Sequence, residues 1–299
     1  MENVSSRTPS PSEAHGELRH QADAFCTLAQ RHGLRDFEDL FWYHTVDLGG
    51  GLVTPGSYDY RDSLAQFAFP ENMRGLSVLD IESATGFFAF EFERRGADVT
   101  SVEIPSLAHW DRFPGETTDQ LVDKIVSLLP SHSVYTPEQI ERSFSSRNHA
   151  TLYHLLLDGP FRFCQSVLGS RVRRCYSSVY DLTPEVVGRD RFDLVFLGDI
   201  LIHTLYFVKA LGAVVPLCGE TLVIAQQLAD TADLGPAQLW LAGDVPGQDD
   251  GAWWEPNLAC LEQVLRKFGF RSVEVVGVHT GILRPAAAPY CRTVIHAKR

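Results

Sequence analysis

The sequence predicts an α/β fold built around a doubly wound, mostly parallel β-sheet of seven strands, one of them antiparallel. The first observation behind this prediction is an alternation, from residue 77 onward, of apolar strand segments with amphipathic helical segments. The second is the closing pair of strand segments, 271–280 and 291–299, which no helix separates. Two strands joined directly form a hairpin, so the last strand is expected to run against the others.

Residues 1–75 precede this alternation and are predicted to form a flexible tail and an N-terminal cap. The tail is expected over 1–17, which is polar and contains proline. Apolar residues at helical spacing predict one or two helices within 17–40. Glycines 49–51 predict the tip of a hairpin, and 61–69 is predicted to be helical.

The core, residues 76–299, begins with a strand–helix–strand unit. A strand is predicted over Ser77–Ile81, a helix over Phe87–Arg95 and a second strand over Asp98–Glu103. Gly96 lies where a glycine commonly ends a helix. Further strands are predicted at 173–180, 192–198 and 220–228, and further helices at 205–217 and 256–270.

Residues 105–157 interrupt the alternation between the second and third strands. Three helical segments lie there, where a crossover of this fold needs only one. We interpret them as a helical insertion that covers the mouth of a site as a lid. The alternative is that these helices pack at the periphery of the fold and have no function.

The charged residues of the chain limit the kinds of molecule that it is expected to bind. The 299 residues include 26 Lys and Arg against 38 Asp and Glu, for a formal net charge of −12. Such an acidic chain lacks long-range attraction to phosphate backbones, so nucleic acid is not expected as a partner. The basic run Arg171–Arg174 is interpreted as a solvated strand entrance.

Cysteine usage and hydropathy favour a cytoplasmic location. The six cysteines are scattered without a C-x-x-C pair, which fits reduced thiols better than zinc ligands or disulfides. We expect no metal site, no signal peptide and no membrane span, because the corresponding motifs and long apolar runs are missing. The expected partner is a small molecule, and the chain is expected to form a homodimer.

The segment "VLDIESATG" has the form of a ligand-binding strand and turn. Ligands of open α/β sheets bind beyond the carboxyl ends of the strands, where glycines let the backbone come close. Of the pattern D-x-G-x-G-x-G, Asp80 and Gly86 are kept, whereas Glu82 and Ala84 replace the other glycines. These four residues and Ser83 are candidate cofactor-binding residues, with a plain structural turn as the alternative.

Residues after the next strands extend this prediction. Glu103 ends the second strand, where a carboxylate can accept both hydroxyls of an adenosine ribose, and Ile104 follows it. After the third strand, Asp181 either contacts an adenine amine beside Tyr180 or caps the next helix. Gly198 closes the fourth strand at the same edge of the sheet. The loop and the acids together predict an adenosine-containing ligand.

His203 lies one turn into the helix predicted after the fourth strand. A histidine at this position can act as a general base or donate a hydrogen bond to a substrate, because its ordinary pKa lies near working pH. A packing or capping role is the alternative.

Four segments together resemble one family: "FWYHTVDLGGGLVTPG", "VLDI…SVEI", "LVFLGDILIHT" and "WWEPNLACLEQVLRKFGF". They are similar to class I, Rossmann-like methyltransferases that use S-adenosyl-L-methionine (SAM), in the group related to bacterial tRNA wobble-uridine carboxymethyltransferases. The resemblance implies SAM bound over Asp80–Gly86, with Glu103 on its ribose. It also implies that Tyr43, His44 and Thr54 lie close to the transferred methyl group.

The predicted function is SAM-dependent methyl transfer to an oxygen or nitrogen of a small molecule in secondary metabolism. His203 and His44 are the candidate acceptors of the proton that such a group loses. Tyr43 and Tyr60 are candidates for orienting the acceptor. Arg61 either pairs with a carboxylate of the ligand or is solvated.

Trp253 and Trp254 are candidates for lining the acceptor site. Adjacent residues seldom face the same way, so one of them is expected in the core. Three alternatives stay open: a tRNA wobble-uridine modifying enzyme, a non-catalytic scaffold, and a SAM-assisted reaction such as a cyclisation. The altered glycine loop keeps the scaffold open, whereas the acidic charge argues against tRNA.

Overall fold

The structure is a computed structural model that describes residues 10–145, 148–229, 235–242 and 251–299. Part of the predicted tail, residues 1–9, lies outside the described residues. The rest of that tail is not flexible coil as predicted, because the first helix already begins at Pro11. Ser10 caps this helix: its hydroxyl accepts a hydrogen bond from the Glu13 amide, and the Glu13 carboxylate accepts one from the Ser10 amide.

Strands and helices alternate through most of the chain. The strands are β1 (Ser77–Ile81), β2 (Asp98–Glu103), β3 (Arg173–Tyr176), β4 (Phe192–Gly198), β5 (Cys218–Gln226), β6 (Leu239–Leu241), β7 (Trp254–Pro256), β8 (Ser272–Leu283) and β9 (Ala288–Lys298). The α-helices are α1 (Pro11–Arg31), α2 (Phe87–Arg94), α3 (Thr118–His132), α4 (Pro137–Phe144), α5 (His149–Tyr153), α6 (Gly159–Leu168), α7 (Pro184–Val187), α8 (Phe207–Val214) and α9 (Leu258–Lys267). None of the helices in the described ranges combines the length and the apolar character that crossing a bilayer requires.

Seven strands form one sheet with the order β3-β2-β1-β4-β5-β9-β8. Pairing is parallel from β3 through β2, β1 and β4 to β5. β9 runs antiparallel to both of its neighbours, β5 and β8. The predicted fold class, a seven-stranded α/β sheet with one reversed strand, is confirmed. The strand order reverses between β1 and β4, and such a switch places a ligand crevice at their carboxyl ends.

The central strands are buried on both faces of the sheet. Val78 and Leu194 pack into one hydrophobic cluster, whereas Leu79 and Val195 pack into the cluster on the opposite face. Successive side chains of a strand point to opposite faces, so a strand covered on both sides is apolar throughout. This double burial holds the carboxyl ends of β1 and β4 in fixed positions beneath the crevice.

The N-terminal cap contains the predicted hairpin tip. Asp47 bridges to Val53 across it, and the three glycines between them have positive φ angles. Arg61–Phe67 is helical as predicted, but as a 3₁₀ helix.

The helical content predicted for residues 105–157 is present in α3, α4 and α5, and a π-helical turn over His154–Asp158 joins α5 to α6. These helices enclose a hydrophobic cluster of their own, which includes Phe144 and Leu152 and takes Phe41 from the cap. The insertion therefore packs partly against the N-terminal cap.

Candidate functional site

A cavity of about 480 Å³ lies at the carboxyl ends of the parallel strands. The loop after β1 lines one part, the N-terminal cap supplies an aromatic wall, and α3 covers the top. Residues at successive strand ends line it in the order of the sheet: Tyr180 after β3, Glu103 on β2, Asp80 on β1, Asp199 after β4, Arg292 on β9 and His279 on β8. Acidic groups thus gather at the β1–β2 end, and a guanidinium lies at the β9 end.

The loop after β1 keeps a glycine-type conformation although two glycines are missing. The φ angles of Glu82, Ala84 and Gly86 are +55°, +46° and +93°. This left-handed region costs a residue with a side chain roughly 1–2 kcal/mol. A Cβ atom at Gly86 would lie 2.6 Å from the Phe90 ring and 2.7 Å from the Phe161 ring, so glycine is required there. The loop thus keeps positive φ angles at every second residue, although Glu82 and Ala84 replace two of the usual glycines.

Asp80 carries an unsatisfied buried oxygen. It is 1% exposed, and its Oδ2 has no hydrogen-bond partner among the described residues. Burial raises the pKa of this carboxyl to about 7, and Glu103 contributes to the increase while Arg174 opposes it. A buried carboxylate of this kind favours a positively charged ligand group.

Glu103 lies at the end of β2 as predicted, but protein groups already bind its carboxylate. Oε2 accepts hydrogen bonds from the Ala84 amide at 3.1 Å and from the Arg174 guanidinium at 3.3 Å. Oε1 accepts one from the Ile104 amide at 3.1 Å. Both side chains of the ion pair are 4% exposed, and Arg174 also donates to the Ser101 hydroxyl at 2.7 Å. The interpretation of the basic run as a solvated strand entrance is therefore wrong for Arg174.

Glu82 lines the cavity beside Glu103 and Asp111. Its carboxylate makes no hydrogen bond or ion pair within the described part of the chain. Burial, with Glu103 and Asp111 nearby, raises its pKa well above the ordinary value. Asp111, in contrast, accepts hydrogen bonds from the Tyr180 hydroxyl and, at 2.6 Å, from the Leu205 amide.

The cap builds an aromatic wall from Tyr43, His44, Tyr58 and Tyr60. The Tyr43 ring lies 4.8 Å from the rings of both His44 and Tyr58, and the Tyr60 ring lies 5.5 Å from that of His44. Burial lowers the pKa of His44 to about 3, so this imidazole is neutral at physiological pH. Electron-rich rings around a cavity attract cations.

His203 has one defined tautomer. Its Nδ1 lies 2.6 Å from the carbonyl oxygen of Gly251. A carbonyl oxygen can only accept, so Nδ1 carries the proton and Nε2 carries the lone pair. The imidazole is part of the cavity lining.

The β8–β9 hairpin contributes residues that the sequence analysis missed. His279 lines the cavity, and its Nε2 lies 3.2 Å from the Tyr290 hydroxyl. Burial, together with the charge of Arg292, lowers the pKa of His279 to about 4. Arg292 lines the cavity too and forms an ion pair with Asp199. Polar residues inside an apolar strand were the available signal, but which edge of the sheet they reach depends on the placement of β9.

Most of the predicted site residues line the cavity: Tyr43, His44, Tyr60, Asp80, Glu82, Ser83, Ala84, Glu103, Ile104, Tyr180, Gly198, His203 and Trp253. Gly86 instead lies at the N-cap of α2, behind the lining.

Four predicted residues lie elsewhere. Arg61 pairs with Asp59, and Asp181 is exposed to solvent; neither lines the cavity. Thr54 is buried behind the wall, where its hydroxyl donates to the His44 carbonyl. Trp254 packs against the core and its indole donates to the Leu205 carbonyl. The more buried of the two tryptophans is nevertheless Trp253, at 4% exposed, whereas Trp254 is only partly buried.

The sequence matches no protein-family model, and comparison with curated proteins finds no significant match. Among solved structures, the chain is similar to EvdMO1, with 16% identity and a TM-score of 0.47, over 91% of this chain and 47% of that one. It is similar to the 1,6-didemethyltoxoflavin-N1-methyltransferase of Burkholderia thailandensis, with 18% identity and a TM-score of 0.41, over 76% and 72%. It is also similar to the magnesium protoporphyrin IX methyltransferase of Synechocystis PCC 6803, with 16% identity and a TM-score of 0.40, over 80% and 77%. Because these TM-scores lie below 0.5, the fold assignment rests on the strand order and register of this chain.

Proposed function

We propose that the protein is an enzyme that binds SAM and directs its methyl group to an oxygen or nitrogen of a small molecule. One observation carries the proposal. At the switch between β1 and β4, a cavity lined by aromatic rings also contains the buried, unpartnered Oδ2 of Asp80. SAM carries positive charge on its sulfonium and ammonium groups, which suits both kinds of surface.

The residues at the β1–β2 end fit this cofactor. The unpartnered Oδ2 of Asp80 offers a buried acceptor for a cationic group. The left-handed backbone at Glu82, Ala84 and Gly86 keeps the loop conformation that lets a backbone approach a ligand closely. Glu82 offers a carboxylate at the β1–β2 end of the cavity, where a ribose is expected, and Glu103 lies beside it.

The remaining lining residues suit the acceptor side. When bound, the cofactor supplies an electrophilic methyl group, and the protein supplies orientation and a place for the proton of the acceptor. When its imidazole is neutral, His203 has its lone pair on Nε2, because Nδ1 donates to a backbone carbonyl. Tyr43, Tyr60 and Trp253 line the same cavity and are proposed to orient the acceptor.

The more specific predictions, on substrate class, pathway, location and assembly, belong to the same proposal. The net charge of −12 and the aliphatic face of α3 above the cavity favour a small molecule over tRNA. The narrower resemblance to tRNA wobble-uridine enzymes, a role in secondary metabolism, a cytoplasmic location and a homodimer stay predictions.

The proposal is tested first by ligand binding. S-adenosylhomocysteine or SAM at 100 times its Kd is expected to stabilise the fold by about 2.7 kcal/mol, measured by thermal unfolding. Asp80→Asn is expected to weaken SAM binding about tenfold, the scale of a hydrogen bond to a charged group, in calorimetry. Asp190→Asn, at an exposed aspartate outside the cavity lining, is the matched control. A melting temperature unmoved by millimolar SAM would contradict the proposal.

The same Asp80→Asn variant should be more stable than the wild type without ligand at about pH 8. The folded-state pKa of Asp80 is raised to about 7, so above that pH the wild type holds an uncompensated buried charge. Below pH 7 the folded state keeps the proton, and the advantage of the variant shrinks. Thermal unfolding across this pH range measures the effect, and equal stability at every pH would remove the buried-charge interpretation.

We propose that residues 105–157 act as a lid and acceptor wall. Leu121, Ile125 and Leu128 line the cavity at the spacing of one helix face. Lids come from less stable parts of a fold, so limited proteolysis should cut the insertion faster without ligand than with S-adenosylhomocysteine and an acceptor. Cleavage sites are mapped by mass spectrometry, with cuts outside the insertion as the internal reference. If the insertion is cleaved equally fast with and without ligand, it is a fixed peripheral segment and not a lid.

A further inference from the structure

Two glutamates lie at the end of the cavity where the ribose of the proposed cofactor is expected, and only one of them is available. Glu103 is the residue that strand position alone selects. Its Oε2 already accepts from Ala84 and Arg174, and its Oε1 accepts from Ile104. Its side chain is 4% exposed, so little of this carboxylate reaches the cavity.

Glu82 shows the opposite properties. Its side chain lines the cavity, it is only partly buried, and its carboxylate has no partner among the described residues. Its backbone has a φ of +55°, a conformation in which glycine would be less costly. A strained backbone that presents an unpartnered carboxylate to a cavity points to a ligand for that carboxylate.

We propose that Glu82, rather than Glu103, holds the vicinal ribose hydroxyls of the bound cofactor. The two oxygens of one carboxylate can each accept a hydrogen bond from one of two adjacent hydroxyls. Glu103 then acts as a positioning residue: with Arg174 it holds the loop amide of Ala84 and so sets the direction of Glu82. This assignment rests on the proposed function.

The neighbours of Glu82 favour a diol over the sulfonium as its target. The charged groups beside Glu82 are Glu103, at the end of β2, and Asp111, whose carboxylate accepts from the Tyr180 hydroxyl after β3. His203, in contrast, follows β4, and the aromatic wall comes from the N-terminal cap. Glu82 therefore faces the nucleoside end of the cavity.

The test compares Glu82→Gln with Glu103→Gln by calorimetry, using S-adenosylhomocysteine, adenosine and 2′-deoxyadenosine as probes. The wild type is expected to prefer adenosine to 2′-deoxyadenosine. Glu82→Gln should bind S-adenosylhomocysteine and adenosine about tenfold more weakly or worse and lose that preference. Glu103→Gln keeps an acceptor oxygen for the Ala84 amide, so it should retain the preference for adenosine even where its overall affinity and melting temperature fall.

Two results would overturn the assignment while leaving the proposed function intact. One is a Glu82→Gln variant that binds adenosine and S-adenosylhomocysteine as the wild type does. The other is a Glu82→Gln variant that loses affinity for SAM alone, because that result would assign Glu82 to the sulfonium charge. Wild-type protein that binds neither SAM nor S-adenosylhomocysteine would overturn the proposed function itself, and this assignment with it.

Discussion

Replacing His203 with Gln is expected to lower kcat by about 10²–10⁴ while SAM affinity stays within about twofold. The expectation follows from the fixed tautomer: Nδ1 donates to the Gly251 carbonyl, which leaves Nε2 as the lone pair that can take a proton. Gln places an amide in this space but cannot act as a base. Steady-state kinetics with an identified acceptor, together with calorimetry for SAM, measure the two quantities.

His44→Gln is the matched comparison, because His44 lines the same cavity from the N-terminal cap. Its pKa is lowered to about 3, so it stays neutral between about pH 5 and pH 8 and cannot cause activity to fall there. A loss of activity on acidification that persists in His44→Gln and disappears from the residual activity of His203→Gln would assign the proton to His203. Full turnover in both single variants would instead leave positioning alone as the mechanism.

The parts of the fold that were predicted from the sequence depend on local patterns. The strands Ser77–Ile81, Asp98–Glu103 and Phe192–Gly198 have the predicted bounds, because each is buried over most of its length and has a polar or turn residue at or directly after its end. Cavity residues at the ends of these strands, or directly after them, were therefore predictable. Asp80 is an example: its place in the site follows from its place in the chain.

Residues whose position depends on strand order were not predictable in the same way. β9 inserts between β5 and β8, and this brings Arg292 to Asp199 across the sheet edge. Nothing in the local pattern of either segment specifies that contact. His279 was missed for the same reason, since its neighbour Tyr290 reaches it only through the β8–β9 pairing.

Arg174 shows how a local interpretation fails at a functional site. The run Arg171–Arg174 is basic and precedes a strand, which is typical of a solvated surface. β3 pairs with β2 so that Arg174 lies opposite Ser101, and its guanidinium reaches Glu103 and stacks 4.0 Å from the Phe161 ring. The side chain is buried because the loop after β1 and α6 cover it, a contact between segments distant in sequence.

Replacing Arg174 with Leu is expected to lower the free energy of unfolding by about 3–5 kcal/mol, the scale for removing one partner of a buried ion pair. Leu leaves Glu103 buried without its counter-charge and removes the hydrogen bond to Ser101. Burial already raises the pKa of Glu103 while Arg174 lowers it, so the variant should raise this pKa further. The folded variant then keeps a proton on Glu103 at acidic pH, and the destabilisation should be larger at about pH 8 than at about pH 5.

Urea unfolding at the two pH values measures both effects, with Arg171→Leu, at an exposed arginine of the same run, as the control. If Arg174→Leu and Arg171→Leu unfold at the same urea concentration, the Arg174–Glu103 pair does not support the loop, and the positioning role assigned to Glu103 fails with it.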